Sequence, residues 1–281
     1  MSTTTPQFWT VSTFWIPRTS AVDDHQLRGG PAVIAPASNY YEVDVSTDSR
    51  RTVLVSGGWN YSWAADGSWS PSANISAQYR PTSNLRVTFG PSWTDAKTAT
   101  QYVATVSDPA DTAFFGSRYV MSALRQKTLA LDTRVSVTFT PRMTLEFYAQ
   151  PFFGTGHYSD FQEYVAPRTD TRVIYGRDRG AIAAALAPNG TVSQYTIDPD
   201  GAGPAQAFTI ANPDFDTRSL RGNAVFRWEY RPGSVLYLAW TQTRSDVEPF
   251  GDFNFARDRQ GLLATRPENV FLIKASWWVP R

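Results

Sequence analysis

The sequence contains no cysteine and only two histidines, His25 and His157, among its 281 residues. The lack of cysteine excludes disulfide scaffolds, thiolate metal sites and cysteine nucleophiles. Two histidines are too few for a multi-histidine metal centre. No glycine-rich phosphate loop, nucleophile elbow or zinc motif is present. We therefore predict no catalytic residues, no metal and no cofactor.

Charge is also scarce, and long apolar runs are missing. Charged residues make up 18% of the chain and the formal net charge is +1, so there is no basic stripe of the kind that favours a nucleic-acid partner. No stretch approaches the ~18 consecutive apolar residues of a transmembrane helix. Residues 1–6 lack the basic segment and apolar core of a signal peptide. We expect either that the sequence is a fragment of a longer chain or that the protein is not exported by the usual route.

Alternation of apolar and polar residues dominates what is present. From Trp69 to Arg80, every second residue is apolar and the residues between them are Ser, Asn, Gln or Arg. Such a period of two is typical of β-strands. The same pattern predicts strands at Leu85–Thr94, Leu129–Phe139, Met143–Pro151, Leu220–Tyr230 and Val270–Val279. Further strands are predicted at Gln7–Ile16, Tyr40–Thr47, Val53–Trp63, Thr98–Ser107, Arg118–Leu124 and Tyr158–Val165, with a hairpin through Val192–Ile197 and Gln206–Ile210. The best helix candidate is Gly180–Ala187, so the fold class is all-β with roughly twelve strands.

The connections between these strands differ at the two ends. Short turns contain Pro81, Pro141 and Pro232, whereas the segments at about 165–218 and 245–269 are long and rich in Gly, Pro, Asp and Asn. Short turns at one end and long loops at the other are typical of outer-membrane barrels. We predict a single domain over residues 1–281: an antiparallel up-and-down transmembrane β-barrel, complete or part of a larger one.

Strand length and aromatic placement favour the membrane over a soluble sheet. Several strands reach 10–12 residues, near the ~9–11 that cross a bilayer. Tryptophan and tyrosine concentrate near strand ends, as in the aromatic girdles of membrane proteins. The predicted girdle consists of Trp59, Trp63, Trp69, Trp93, Trp228, Tyr230, Trp277 and Trp278. A soluble sandwich or barrel that uses the same aromatic residues as its core remains the alternative.

Charged residues on the polar sides of the strands form the candidate functional site. They are Asp132, Arg134, Glu146, Arg221, Arg227 and Glu229. In a barrel these side chains point into the lumen, where they either form a charged constriction that sorts solutes or pair with one another and plug the interior. Both interpretations stay open.

Two other groups of acidic residues are weaker candidates. Asp198–Gly203 has alternating carboxylates, as calcium loops do, but it lacks the full pattern, and a hairpin turn is favoured. Asp160 and Glu163 lie near His157 and form a conceivable glycosidase pair. Because they are three residues apart in a predicted strand, we expect them on opposite faces, as solvated charges at a loop edge.

Several long motifs resemble one known family. They are Ser219–Ser234, Leu236–Gln242, Gly251–Phe255 and Asn269–Lys274, together with Leu27–Pro31, Val45–Arg50, Gln101–Val103 and Tyr148–Phe152. The chain resembles the C-terminal β-rich region of bacterial outer-membrane-type proteins of unassigned function. Full-length members carry an N-terminal carbohydrate-binding module of the family-9 type. The resemblance implies a C-terminal β-barrel and implies no reaction.

These observations predict a non-catalytic protein in the outer membrane of a Gram-negative bacterium. Its partners would be outer-membrane lipid and small solutes or carbohydrate. Solute passage and membrane anchoring are the two leading roles. The alternatives are an anchor for a carbohydrate-binding protein and a soluble β-domain that binds carbohydrate. An outer-membrane hydrolase is the least favoured.

Overall fold

The structure is a computed structural model that describes residues 1–279. Within this range the chain is all-β and antiparallel, with one short helix, α1 (Phe255–Ala264). The strands are β1 (Ser2–Thr4), β2 (Thr10–Arg18), β3 (Ala21–Asp23), β4 (Val33–Ala35), β5 (Ser38–Ser46), β6 (Val53–Ala64), β7 (Trp69–Thr82), β8 (Leu85–Ser107), β9 (Ser117–Thr140), β10 (Met143–Tyr164), β11 (Arg172–Ile174), β12 (Ala181–Leu186), β13 (Val192–Asp198), β14 (Phe208–Ala211), β15 (Phe215–Arg231), β16 (Ser234–Glu248) and β17 (Glu268–Ser276).

One large sheet contains most of these strands. Its order is β1-β2-β5-β6-β7-β8-β9-β10-β15-β16-β17, with β11 added beside β10. Neighbours in this order are antiparallel and mostly consecutive in the chain, which confirms the predicted up-and-down sequence of strands. Among the described residues β17 pairs only with β16. Closure of the sheet into a barrel therefore stays a prediction.

Three strands are longer than the sequence predicted. The predicted strands Leu85–Thr94 and Thr98–Ser107 are one strand, β8, and the same holds for the predicted pairs within β9 and β10. The gaps between the predicted strands fall where the apolar face becomes polar or charged, as at Asp95 and Lys127, while the pairing continues in register. The alternation therefore ends although the strand does not.

The two ends of the sheet differ as predicted. At the tight-turn end, Pro141 and Pro232 lie between β9 and β10 and between β15 and β16. Pro81 instead lies within β7, one residue before the strand ends. At the other end, the loop end, longer segments connect the strands. The exception is the short Asp66-Gly67 turn between β6 and β7, where Gly67 adopts φ +86°.

The long loops contain regular structure that the sequence analysis predicted only in part. The hairpin of β13 and β14 is confirmed, and β12 joins it in a small sheet. The helix candidate at Gly180–Ala187 is wrong, because this alanine-rich segment pairs with β13 as β12. Pairing with a neighbouring strand outweighs the high helix propensity of alanine over so short a segment.

Helix α1 lies inside the predicted loop at 245–269. It begins after Asn254, whose side chain accepts a hydrogen bond from the Arg257 backbone N–H at 3.1 Å. This is an N-cap, and it satisfies a donor that the first helical turn leaves free. In residues 1–279 no helix has the length and apolar character needed to cross a membrane.

The buried core lies at the loop end of the sheet. One cluster contains Leu27, Phe114 and Met121, and a second contains Val120, Phe161 and Ile197. Both pack against the extensions of β8, β9 and β10, so these strands are held at one end by ordinary hydrophobic burial. The half of the sheet toward the tight turns has large apolar side chains exposed instead.

Candidate functional site

The register of the sheet defines two faces of opposite character. Residues paired across neighbouring strands share a face, as do every second residue along a strand. The apolar face contains Val43, Val55, Trp59, Ile75, Tyr79, Phe89, Trp93, Leu131, Val135, Phe147, Phe226, Leu238, Trp240, Phe271 and Ile273. The polar face contains Asp44, Asn60, Asn74, Thr88, Tyr148, Gln150, Asn223 and all six predicted lumen residues, Asp132, Arg134, Glu146, Arg221, Arg227 and Glu229.

Asp132 accepts two side-chain hydrogen bonds on the polar face. Its carboxylate accepts hydrogen bonds from the Tyr148 hydroxyl at 3.0 Å and from the Gln150 side-chain amide at 3.1 Å. The Arg134 guanidinium stacks over the Tyr148 ring, 4.7 Å from its centroid. Because its two bonded donors are neutral, Asp132 keeps its negative charge available on this face.

The remaining lumen candidates are less constrained. Arg134, Glu146 and Arg221 are exposed. Arg227 and Glu229 contact each other at 3.5 Å, and Glu229 also accepts a hydrogen bond from the backbone of Gly233 in the tight turn. The six residues contribute three charges of each sign, so the polar face is mixed rather than of one sign. Whether these residues line a lumen stays a prediction.

Most of the predicted girdle residues lie toward the two ends of the sheet. Trp63 and Trp69 pair directly at the loop end, and Trp93 lies on β8 nearby. Trp228 and Tyr230 lie at the tight-turn end of β15, while Trp277 and Trp278 follow β17. Trp59 lies midway along β6 and is 44% exposed. Its ring stacks on Tyr61, which in turn stacks on Trp63.

The proposed glycosidase pair does not form a site. Glu163 is buried beside Arg118, Arg179 and Tyr175, so its interpretation as a solvated charge is wrong. Asp160 has an unusual positive φ of 48° at the bulge region of β10. His157 pairs instead with Asp214, with 2.8 Å between Nδ1 and Oδ2.

The other acidic segments behave as turns. Asp198 Oδ1 accepts hydrogen bonds from the backbone N–H groups of Asp200 and Gly201, which confirms the turn favoured for Asp198–Gly203. Asp23, Asp24 and His25 bring three ligand atoms within 4.8 Å of one another, but the His25 and Asp24 side chains are largely exposed. Exposed acidic groups of this kind are common without a metal, so we assign no function to them.

A buried network of charges is the main feature that no sequence pattern predicted. Arg118 donates two hydrogen bonds to Asp108 Oδ2, at 3.0 and 2.7 Å, and contacts Glu163 at 2.5 Å. The Tyr175 hydroxyl donates to Glu163 at 2.7 Å. Burial and the neighbouring Glu163 raise the pKa of Tyr175, so its hydroxyl stays protonated. The network ties β9 and β10 to the segment around β11.

A second buried group holds helix α1 against the sheet. Asp216 and Asp258 are both fully buried, and Arg257 lies 3.0 Å from Asp216 and 2.9 Å from Asp258. Burial first, and then hydrogen bonding with Asp258, raises the pKa of Asp216 to about 6. Asp216 lies beyond the apolar part of its strand, at the loop end.

A family model described as a domain of unknown function, DUF5916, matches residues 1–178. The chain belongs to this family. Comparisons with curated proteins and with solved structures give no match. The predicted resemblance to an uncharacterised family is thus confirmed, while the carbohydrate-binding module and the outer-membrane location stay predictions. The match to DUF5916 covers β1 to β11 and includes Asp132, Arg134 and Glu146, whereas Arg221, Arg227 and Glu229 lie beyond it.

Proposed function

We propose that the chain forms the membrane-embedded part of an outer-membrane β-barrel that serves solute passage or anchoring and carries out no catalysis. The observation that carries this proposal is the exposed apolar face. Trp59, Ile75 and Ile273 on this face are 44%, 53% and 74% exposed. Exposed apolar patches of large extent mark surfaces that contact a partner or a membrane.

The length of the apolar face supports a bilayer as that partner. On β10, the residues of this face are apolar from Met143 to Phe153, and Phe153 at the loop end is covered by Phe255 of α1. Ten residue steps of ~3.4 Å give roughly 34 Å along the strand. A strand tilted by ~45° then spans roughly 24 Å, close to the ~25 Å apolar band of outer-membrane barrels.

The same face changes character abruptly toward the loop end. Trp93, Leu129 and Phe153 form one row across β8, β9 and β10. The next row on this face contains Asp95 and Lys127. A change from apolar to charged residues between one row and the next is typical of the boundary between hydrocarbon and headgroups.

Folding into detergent micelles tests the proposal directly. We expect the purified chain to migrate as a compact band on a denaturing gel at room temperature and to shift on boiling. A chain that stays soluble and monomeric without detergent would contradict the membrane assignment. For the folded protein, conductance across planar bilayers would support passage, and a folded but silent barrel would support anchoring.

The polar face gives a further prediction for a conducting barrel. Arg227→Glu should shift ion selectivity toward cations, because the substitution replaces a positive lumen charge by a negative one. The fold should persist, since the partly exposed Arg227–Glu229 contact contributes at most about 1 kcal/mol. Reversal potentials in a salt gradient measure the change, with Arg142→Glu in the exposed β9–β10 turn as the control. Unchanged selectivity in a conducting barrel would refute the lumen assignment of Arg227.

One observation favours a second candidate, a soluble carbohydrate-binding domain. Trp59, Tyr61 and Trp63 stack along β6 with centroid separations of 6.1 and 5.4 Å. Exposed aromatic rings in a row can stack on sugar rings. Quenching of tryptophan fluorescence by oligosaccharides, lost in Trp59→Ala and retained in Trp228→Ala, would favour this candidate.

A further inference from the structure

We infer that the apolar face carries, just beyond its loop-end boundary, a binding site for the phosphate group of an anionic membrane lipid. This inference rests on the proposed function. The site is the cationic cluster, which we define as Lys97, Arg125 and Lys127. These residues lie on β8 and β9, on the same face as Trp93 and Leu129.

The register places the cationic cluster in the first two rows beyond the apolar band. Lys127 pairs with Asp95 on one side and with Thr155 on the other. In the following row Arg125 lies between Lys97 and His157. Three cations therefore meet within two adjacent rows, directly next to the last apolar row.

A cavity of about 470 Å³ lies over this part of the sheet. Arg125, Lys127, Thr155 and His157 line one wall, and the segment 251–253 before α1 lines the other. The edge of the Phe253 ring contacts Trp93, with 5.0 Å between the centroids. The cavity thus has Arg125 and Lys127 on the wall formed by the sheet and Phe253, which contacts Trp93, on the other wall.

The balance of charge in this cavity is positive. Arg125 forms a bidentate pair with Asp95, at 3.2 and 2.9 Å. The acidic wall residue Asp252 is already paired with Arg257 at 2.8 Å. Within residues 1–279 neither Lys97 nor Lys127 has an acidic partner inside 4 Å. Lys127 on the cavity wall and Lys97, which lies beside Arg125 in the next row but outside the lining, are therefore available to an anion. Lysine is a common ligand of phosphate.

The position of the cluster favours a lipid over a free phosphate ion. The acyl chains of a lipid would lie along Trp93, Leu129 and the rows below them, while its phosphate contacts Lys97 and Lys127. A free phosphate would use only the cationic part of this surface. Basic residues next to a membrane surface each add about 1 kcal/mol of attraction to anionic lipids.

Native mass spectrometry of the folded chain in detergent tests this inference. We expect the chain to retain phosphatidylglycerol in preference to phosphatidylcholine. The double variant Lys97→Gln/Lys127→Gln should lower this preference by about thirtyfold, as expected for the loss of two interfacial lysines at about 1 kcal/mol each. The matched control is Arg86→Gln/Lys274→Gln, which removes the same charge from the polar face and should retain the preference.

The outcomes separate this inference from the proposed function. Heat-modifiable folding without a preference for phosphatidylglycerol, or an equal loss in both double variants, would overturn the lipid site and leave the barrel intact. Displacement of the lipid by millimolar inorganic phosphate would assign the cluster to a soluble anion and also overturn the inference. A chain that fails to enter micelles would overturn both proposals.

Discussion

Replacing Ile75 by arginine should strongly impair insertion of the chain into lipid vesicles. Ile75 lies in the middle of β7 on the apolar face and is 53% exposed. In a barrel this position faces the hydrocarbon core, where an arginine costs about 2–4 kcal/mol. Denaturant titrations of the chain folded into vesicles would measure the loss in the free energy of unfolding.

Ser76→Arg is the matched control, because Ser76 is the adjacent residue and faces the polar side. We expect a change within about 0.5 kcal/mol for this variant, as for surface substitutions in general. One result of this comparison would contradict the membrane proposal. If Ile75→Arg folds as well as Ser76→Arg and becomes more soluble without detergent, the apolar face contacts water and the membrane proposal is wrong.

Arg118→Met should destabilise the loop end of the sheet by about 3–5 kcal/mol, the usual cost of removing one partner from a buried ion pair. Arg118 is 5% exposed and bridges Asp108 and Glu163. Without the guanidinium, two carboxylates remain buried without their main cation. Hydrogen exchange at the loop-end halves of β9 and β10 would report the loss locally, and denaturant titration would report it for the whole chain.

Arg177→Met provides the comparison for Arg118→Met. Arg177 also pairs with an aspartate, Asp178, but both side chains are largely exposed, and such pairs contribute about 0–1 kcal/mol. Equal effects of the two substitutions would show that the Arg118 network contributes no more than a surface pair. The double variant Arg118→Met/Glu163→Gln should recover part of the lost stability, because it removes one uncompensated charge.

The sequence was most informative where one physical constraint acts along a whole strand. From Trp69 to Arg80 each side chain lies on either the apolar or the polar face of the sheet. The period of two therefore predicts both the strand and the face on which each residue lies. The six charged residues assigned to one side, from Asp132 to Glu229, do share a face of the sheet for this reason.

The features that the sequence did not predict depend on contacts between residues distant in sequence, or on a change in the character of one face within a strand. The face that is apolar at Leu129 is charged at Lys127, so the continuous strand β9 resembled two separate strands. The Arg118 network joins residues that no local pattern connects. Helix α1 was missed because it is short, although Asn254 as N-cap and Asp258 in the first turn are local signals.

The order of strands in the large sheet also has a consequence for the rate of folding. Strands β5 to β10 each pair with the next one in the chain, as do β15 to β17, so their contacts are local and form quickly. The pairing of β10 with β15 bridges the long segment 165–214, whereas the other non-consecutive pair, β2 with β5, bridges only residues 19–37. The molecule therefore consists of two fast-forming blocks, and the docking of one block onto the other sets the time that the sheet takes to assemble.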